Sequence, residues 1–414
     1  MRTLKNSVLF LLVLFFAGTG LCQTERALSV EVNRLSDRVA VFKIEGGNAN
    51  VVALNSQAGL VVIDTDVSPT FAALLRQKMA NVFGRTDFAY VINTHSHGDH
   101  TYGNQVFTDA VIIGQENVPD EMAESSDRLK GTAASLKAGL VRMKESLEKM
   151  EKGSDKASAV ARRITYYEAL LQGYENNFVL TSPSITFGEG LTLHLGDIDL
   201  NLMFFGTSHS ASDILIRCPQ EGLWMTGDLF SPGQDLYIDS ERIPGLPRWA
   251  AHLEKMVQTE KDTKFIVPGH GALLTSEELK KSLAYVRAKQ GEFAGKESAF
   301  FAFRKAFEKE GPEISLRVLK DLKAKPDKYY TLHPEIDQFA YRLMLQGKLD
   351  EALSIFLVLA ELFPDSYLAF DSLGEVYLRK GDREKAGQSF KKSLELNPNN
   401  QNAVQQLKSL QEKK

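Results

Sequence analysis

Cysteine is almost absent from this chain: Cys22 and Cys218 are its two thiols, so no disulfide framework can organise the fold. Long apolar runs are equally scarce. The longest, Val8–Ala17, is about half of the roughly 20 residues that a membrane-spanning helix needs, which excludes a polytopic membrane protein. An excess of positive charge is missing too. Lys and Arg number 49 against 53 Asp and Glu, a formal charge of −4, so nothing here attracts a nucleic-acid backbone. What remains is ordinary globular composition, 43% hydrophobic and 25% charged, and 414 residues of it call for at least two folded units.

The amino terminus has the order of parts of a signal peptide over residues 1–22. Arg2 and Lys5 precede the apolar run, the small residues Gly18, Thr19 and Gly20 follow it, and a polar stretch begins at Gln23. Cleavage near Gly20 to Cys22 would leave a periplasmic or secreted protein. Cys22 also stands where a lipid anchor would be attached, although Leu21 is bulkier than the residue expected before a lipidated cysteine.

Beyond the leader, β-rich runs alternate with turns at Val39–Phe42, Val51–Leu54, Leu60–Ile63, Ala89–Ile92 and Ala110–Ile113. One helix, Phe71–Val82, is opened by Ser68 and Pro69. Residues 119–176 change character. Leu129, Leu136, Leu140, Met143, Leu147 and Met150 recur at helical steps, Gly153 and Ser154 interrupt, and Val160, Ile164, Tyr167 and Leu171 mark a second helix. This predicts a helical hairpin inserted in a layered α/β domain over 28–285; lid, dimerisation arm and structural excursion are all open to it. Strand-like runs then return at Leu191–His194, Ile198–Phe205, Ile214–Cys218, Leu223–Thr226 and Phe265–Val267, with a helix near Arg248–Val257.

After a helical connector over 286–330, residues 331–414 contain a repeat. Gly347 and Gly381, Ala352 and Ala386, Phe356 and Phe390, Pro364 and Pro398 are each 34 residues apart, the tetratricopeptide period, and Gln401–Leu410 reads as its capping helix. Such repeats make a protein partner an expectation. Two repeats alone are marginal, so Glu292–Lys323 is expected to supply a further pair or to dock them.

The chemistry gathers directly after the strand Ala89–Ile92, in Asn93-Thr94-His95-Ser96-His97-Gly98-Asp99-His100. His95 and His97, two apart in extended chain, point the same way and can clamp one ion; Asp99 and His100 can turn toward a second. Borderline-soft divalent metals need three or four such donors each, so others must come from distant sequence. His209, Asp228 and His270 follow apolar strands in Gly206-Thr207-Ser208-His209, Gly227-Asp228 and Pro268-Gly269-His270.

With these motifs in this order, the chain over about residues 28–285 resembles the metallo-β-lactamase fold superfamily, which includes class B lactamases and glyoxalase II. The resemblance implies an αβ/βα four-layer sandwich. It implies that His95, His97 and His209 hold one metal, that Asp99, His100 and His270 hold a second, and that Asp228 bridges both as in glyoxalase II, with Asp64 buttressing the ligand loop. The lactamases of that superfamily carry cysteine or serine at the position of Asp228, which weighs against a dedicated lactamase. Two Zn2+ ions per chain are expected, with Fe as the alternative. Two such ions lower the pKa of a bridging water, so the expected activity is hydrolysis of a small-molecule ester, thioester, lactone or amide-type bond. The rival readings are a mononuclear iron persulfide dioxygenase and a metal-binding scaffold acting through its repeats.

Other candidates read as structural: His194 in an alternating strand, His252 on a helix, His333 on the surface of the helical region, and Cys218 as a small buried hydrophobe. The Phe300–Phe307 cluster reads as helix packing. Tyr237, in the loop after Asp228, is a candidate for substrate contact.

Overall fold

The computed structural model describes residues 28–176, 178–230, 238, 240 and 243–412; residues 1–22, with the expected leader and Cys22, and Tyr237 lie outside the described residues. The chain forms two compact units. Among the described residues, one comprises those up to Asn93 with His97–Ile113 and Pro119–Ile185; the other comprises Thr94–Ser96, Gly114–Val118 and those from Thr186 onward.

A seven-stranded sheet runs in sequence order through β1 (Val30–Arg34), β2 (Val39–Ile44), β3 (Val51–Ser56), β4 (Gly59–Ile63), β5 (Phe88–Ile92), β6 (Val111–Gln115) and β7 (Ile185–Phe187). Strands β1 to β4 form an antiparallel meander, then β4, β5 and β6 pair in parallel. Every residue of β4 is buried, as the unbroken apolar run Leu60-Val61-Val62-Ile63 requires of a central strand. A parallel pairing needs a crossover, and α1 (Pro69–Phe83) supplies it. Ser68 caps α1 by accepting from the Phe71 N–H, Pro69 occupies its first turn and Gly84 ends it in a left-handed conformation; the cap contributes about 1 kcal/mol. Its Phe71, Ala72, Leu75 and Met79 face a core shared with Phe42, Val62, Phe88 and Phe107. Strand β1 escapes the sequence reading because it is an edge strand whose only apolar residues are Val30 and Val32.

A one-turn helix, α2 (Gly98–Thr101), carries the ligand motif. The inserted pair is observed as α3 (Val118–Glu148) and α4 (Asp155–Glu175), broken at Gly153 and capped at Ser154, with Lys137–Glu175 and Lys144–Glu168 ion pairs joining the two helices. Ala169 and Leu170 of α4 are buried in the core beneath α1, and Leu136 of α3 packs against it.

In the second unit, β8 (Gly190–His194), β9 (Asp199–Phe204), β10 (Ile214–Cys218), β11 (Leu223–Met225) and β12 (Phe265–Val267) form a five-stranded sheet, antiparallel except for the parallel pair β11 and β12. Helices α5 (Leu246–Gln258) and α6 (Ser276–Phe293) bury Trp249, Leu253, Met256 and Val286 with Trp224 of β11. Helices α7 (Ala299–Glu310) and α8 (Pro312–Lys323) follow. Their Phe300, Phe303 and Leu319 lie in one core with Ile336, Ala352, Phe356 and Leu359, so the connector docks the repeats rather than merely preceding them.

The repeats are α9 (His333–Leu345) with α10 (Leu349–Leu362) and α11 (Tyr367–Arg379) with α12 (Arg383–Leu396), closed by α13 (Gln401–Glu412). Gly347 and Gly381, with φ of 81° and 82°, end α9 and α11, and the paired Ala352, Ala386, Phe356 and Phe390 are fully buried. One expectation is overturned. His333 is buried at the start of α9, edge-on to Phe363, because the turn into the helix folds its ring against the end of α10; burial pushes its pKa down to about 4. No helix among the described residues is long and apolar enough to cross a membrane.

Candidate metal centre

Four of the seven candidate ligands stand beyond the carboxyl end of a strand, where open α/β sheets place their sites. His95 follows β5, His209 follows β9, Asp228 follows β11 and His270 follows β12. His97 precedes α2, and Asp99 and His100 lie on it.

The loop after β4 fixes the histidine of α2. Asp64 and Asp66 hold φ angles of 63° and 67°, a region that non-glycine residues enter only when the surroundings impose it. Asp64 is thereby turned under the fully buried His100, whose Nδ1 lies 2.9 Å from Asp64 Oδ2. With the carboxylate as acceptor the ring proton sits on Nδ1, and Nε2 keeps its lone pair on the side of Asp99 Oδ2, 3.6 Å away. Beneath them runs a buried polar network. Thr65 Oγ1 donates to Asn104 Oδ1 at 2.9 Å, Asn93 and Asn104 exchange amide hydrogen bonds of 2.8 and 3.0 Å, and the Thr65 N–H donates to the His100 carbonyl.

His95 is fully buried, its Nδ1 3.1 Å from Thr94 Oγ1 and its Nε2 3.9 Å from Asp228 Oδ2. The same oxygen lies 3.9 Å from His209 Nδ1 and 3.2 Å from His270 Nε2. One carboxylate oxygen thus faces three imidazole nitrogens. The His209 loop is held by Asp213, buried at the foot of β10, which accepts from the Ser210 N–H and from Ser208 Oγ, and by Ser212, whose hydroxyl accepts from the Ser96 N–H at 3.2 Å.

The ligand atoms fall into two groups, His95, His97, His209 and Asp228, and Asp99, His100, Asp228 and His270, with the atoms of each group within 4.8 Å of one another and Asp228 common to both. Imidazole nitrogens and carboxylate oxygens converging in this way form the donor set that a borderline-soft divalent cation takes, and either group could hold one.

Asp213 and the Thr65–Asn93–Asn104 network were not singled out in the sequence. A carboxylate four residues after His209, at the entrance to a strand and amid three serines, was the available signal for Asp213. The remaining histidines and the thiol take no part in the cluster. His194 pairs with Asp199 at an exposed strand end, and His252 stacks on Phe205 with its pKa pushed down to about 4 by burial, then by Lys255 and Arg248. Cys218 is buried, its thiol pushed up to about 11 mainly by that burial.

A tetratricopeptide repeat is matched over residues 367–400. The "Metallo-beta-lactamase type 2" of Bacteroides fragilis is 25% identical over 92 residues, which span 22% of this chain and 37% of that relative. Among solved structures, a metallo-beta-lactamase from Pontibacter korlensis aligns at 16% identity over 63% of this chain and 99% of its own, with a TM-score of 0.44. The DIM-1 metallo-beta-lactamase aligns at 13% identity over 63% and 98%, with a TM-score of 0.43. The metallo-beta-lactamase superfamily model itself matches residues 44–270, more than half of the sequence and every ligand position from His95 to His270, and the chain belongs to that superfamily.

Proposed function

We propose that this protein is a periplasmic or secreted metal-dependent hydrolase that holds two zinc ions, one on His95, His97 and His209 and one on Asp99, His100 and His270, with Asp228 shared. The observation that carries the proposal is the single Asp228 oxygen facing three imidazole nitrogens at 3.2 to 3.9 Å, common to two ligand groups. Bound there, such ions supply Lewis acidity and a water nucleophile at neutral pH.

The chain's own part is positional. Asp64 holds the His100 proton on Nδ1, Thr94 engages His95 Nδ1, and Asp213 fastens the loop of His209. Asp99, with 41% of its side chain exposed, is the catalytic carboxylate: it orients the attacking water and accepts its proton at a carboxylate oxygen for return to the leaving group. The bond cleaved is an ester, thioester, lactone or amide-type bond of a small molecule, and no serine or cysteine nucleophile is needed. The repeats recruit a protein partner, and the leader over residues 1–22 supports the extracytoplasmic location.

Elemental analysis of the purified protein, alongside hydrolysis of a thioester, a lactam, a lactone and an aryl phosphate ester, tests this reading. About two zinc per chain with turnover of one member is the expected result. About one iron per chain with oxygen uptake on a persulfide would replace it with an oxygenase.

A further inference from the structure

Beside Asp99 stands a group of three aromatic rings, two of which lie outside the core of their unit. Tyr102, one turn after Asp99, lies edge-on to Tyr174 of α4 and to Phe178, with ring centroids 6.2 and 5.3 Å apart; Tyr174 and Phe178 are 5.5 Å apart. Gly98, between the candidate ligands His97 and Asp99, is so close to the Tyr102 ring that any Cβ there would collide with it, so the rings touch the ligand turn itself. Burial, then neighbouring Tyr102, Asp99 and Asp66, push the Tyr174 phenol up, which sets that ring within electrostatic reach of the same carboxylate.

The trio is deliberately held. Tyr174 Oη donates to the Val67 carbonyl at 3.2 Å, in the loop that begins at Asp64. The segment carrying Phe178 is pinned to the continuation of the ligand turn: the Val179 N–H donates to Gln105 Oε1 at 2.5 Å, and Asn104 Nδ2 to the Thr181 carbonyl at 2.9 Å. Tyr174 packs on the buried core of its unit, whereas Tyr102 and Phe178 stand outside it and are only half-buried.

We infer that Tyr102, at the end of the ligand turn, and Tyr174 and Phe178, delivered by α4 and the segment after it, form a specificity wall that receives an aryl group of the substrate next to the bond under attack. This rests on the metal-centre reading and narrows it to aryl-bearing acyl compounds. Edge-to-face rings leave open faces at the spacing a further ring adopts, and a few half-buried aromatics beside converging polar groups are how ligand sites are commonly lined.

The test compares phenylacetohydroxamate with acetohydroxamate, and phenylacetate with acetate, by calorimetry on the full chain with its metal content measured. In each pair the phenyl compound should bind about tenfold more tightly. Phe178→Ala should bring both ratios close to one, and Tyr174→Phe, which keeps the ring, should preserve them. A metal-loaded protein with no phenyl preference, or one whose preference survives Phe178→Ala, overturns the wall and leaves the metal centre standing. A metal-free protein that keeps a phenylacetate preference sensitive to Phe178→Ala supports the wall and overturns the metal centre instead. A chain whose Tyr174→Phe form also loses the preference reads as local packing and overturns the proposal.

Discussion

The ligand loops and the repeats are built by opposite means. Around His95 and His100 the interior is polar: Asp64, Thr65, Asn93, Thr94 and Asn104 are buried, and two aspartates adopt left-handed backbone. In the repeats the periodic positions are apolar, with Ala352, Phe356, Ala386 and Phe390 buried at equivalent places. Volume largely satisfies those repeat positions, and many apolar sequences would serve them. The first needs each donor matched to an acceptor, because a buried polar group left unmatched costs about 1–3 kcal/mol. The metal centre is held by aim and the repeats mainly by bulk, so damage should look different in the two places.

The largest effect should come from breaking the aim. Asp228→Asn removes the one carboxylate common to both ligand groups; turnover of the best substrate should fall by about a thousandfold or more, since the metals' contribution to transition-state stabilisation is several kcal/mol. Bound metal should fall with it in elemental analysis, while circular dichroism of the helical region stays unchanged. Retention of full activity would sink the hydrolase reading. Breaking the bulk is the counterpart. Phe390→Ala opens a cavity between α11 and α12, where the ring now lies against Gly374, and should cost about 3–5 kcal/mol of local stability. Hydrogen exchange should report it in α11 to α13, with metal content intact. Loss of metal from this variant would show that the two regions are not separable.

That contrast also decides how much could be read from the sequence. The repeats were legible because an apolar pattern at a period of 34 states its own packing. The strands β4, β10 and β12 were legible because short apolar runs rich in Val and Ile, bounded by turns, read as buried strands. The ligand positions were legible as a motif: His95 to His100 lie together in the chain, and His209, Asp228 and His270 each follow an apolar strand. Their supports were not. Asn93 and Asn104 are eleven residues apart and Asp213 lies in an ordinary serine-rich loop; nothing in composition distinguishes an asparagine that crosses a buried network from one on a turn. His333 escapes the sequence for a related reason, since a histidine beside Pro334 at a helix start carries no mark of the Phe363 ring that the end of the following helix brings against it.

Smaller losses should follow from changes to the groups that support the ligands. Asp64→Asn leaves the shape under His100 but weakens the acceptor that fixes its tautomer. Metal affinity, measured by competition with a chelator, should drop by about 10–100-fold. An unchanged affinity would mean that Asp64 merely fills space. Asn104→Ala strips two partners from the network and should lower stability by about 1–3 kcal/mol in denaturant unfolding, more than its few buried atoms would predict from volume. A cost below about 0.5 kcal/mol would show that the network is dispensable.

The smallest net effect is expected where the two styles meet, on α9. His333 and Asp337 lie one turn apart in the same helix, and both titrate away from their ordinary ranges in opposite senses. Burial pushes the His333 imidazole down to about 4, so stability is lost as pH falls from its unfolded range near 6.5 through 4, when the buried ring must take a proton. Burial, then the charges of Glu375 and Asp371, push the Asp337 carboxyl up to about 6 against a hydrogen bond from Ser372, so folding gains as pH falls from 6 toward the unfolded range near 4, when the acid is neutralised. Over nearly the same window the two contributions, each on the order of 1–3 kcal/mol, oppose one another. Hydrogen exchange of α9 to α11 should therefore vary little between pH 7 and pH 4 in the native protein. His333→Gln should make those helices more stable on acidification, and Asp337→Asn should make them less so. If neither variant changes the slope, the burial of these two groups is not what sets the pH response of the repeats.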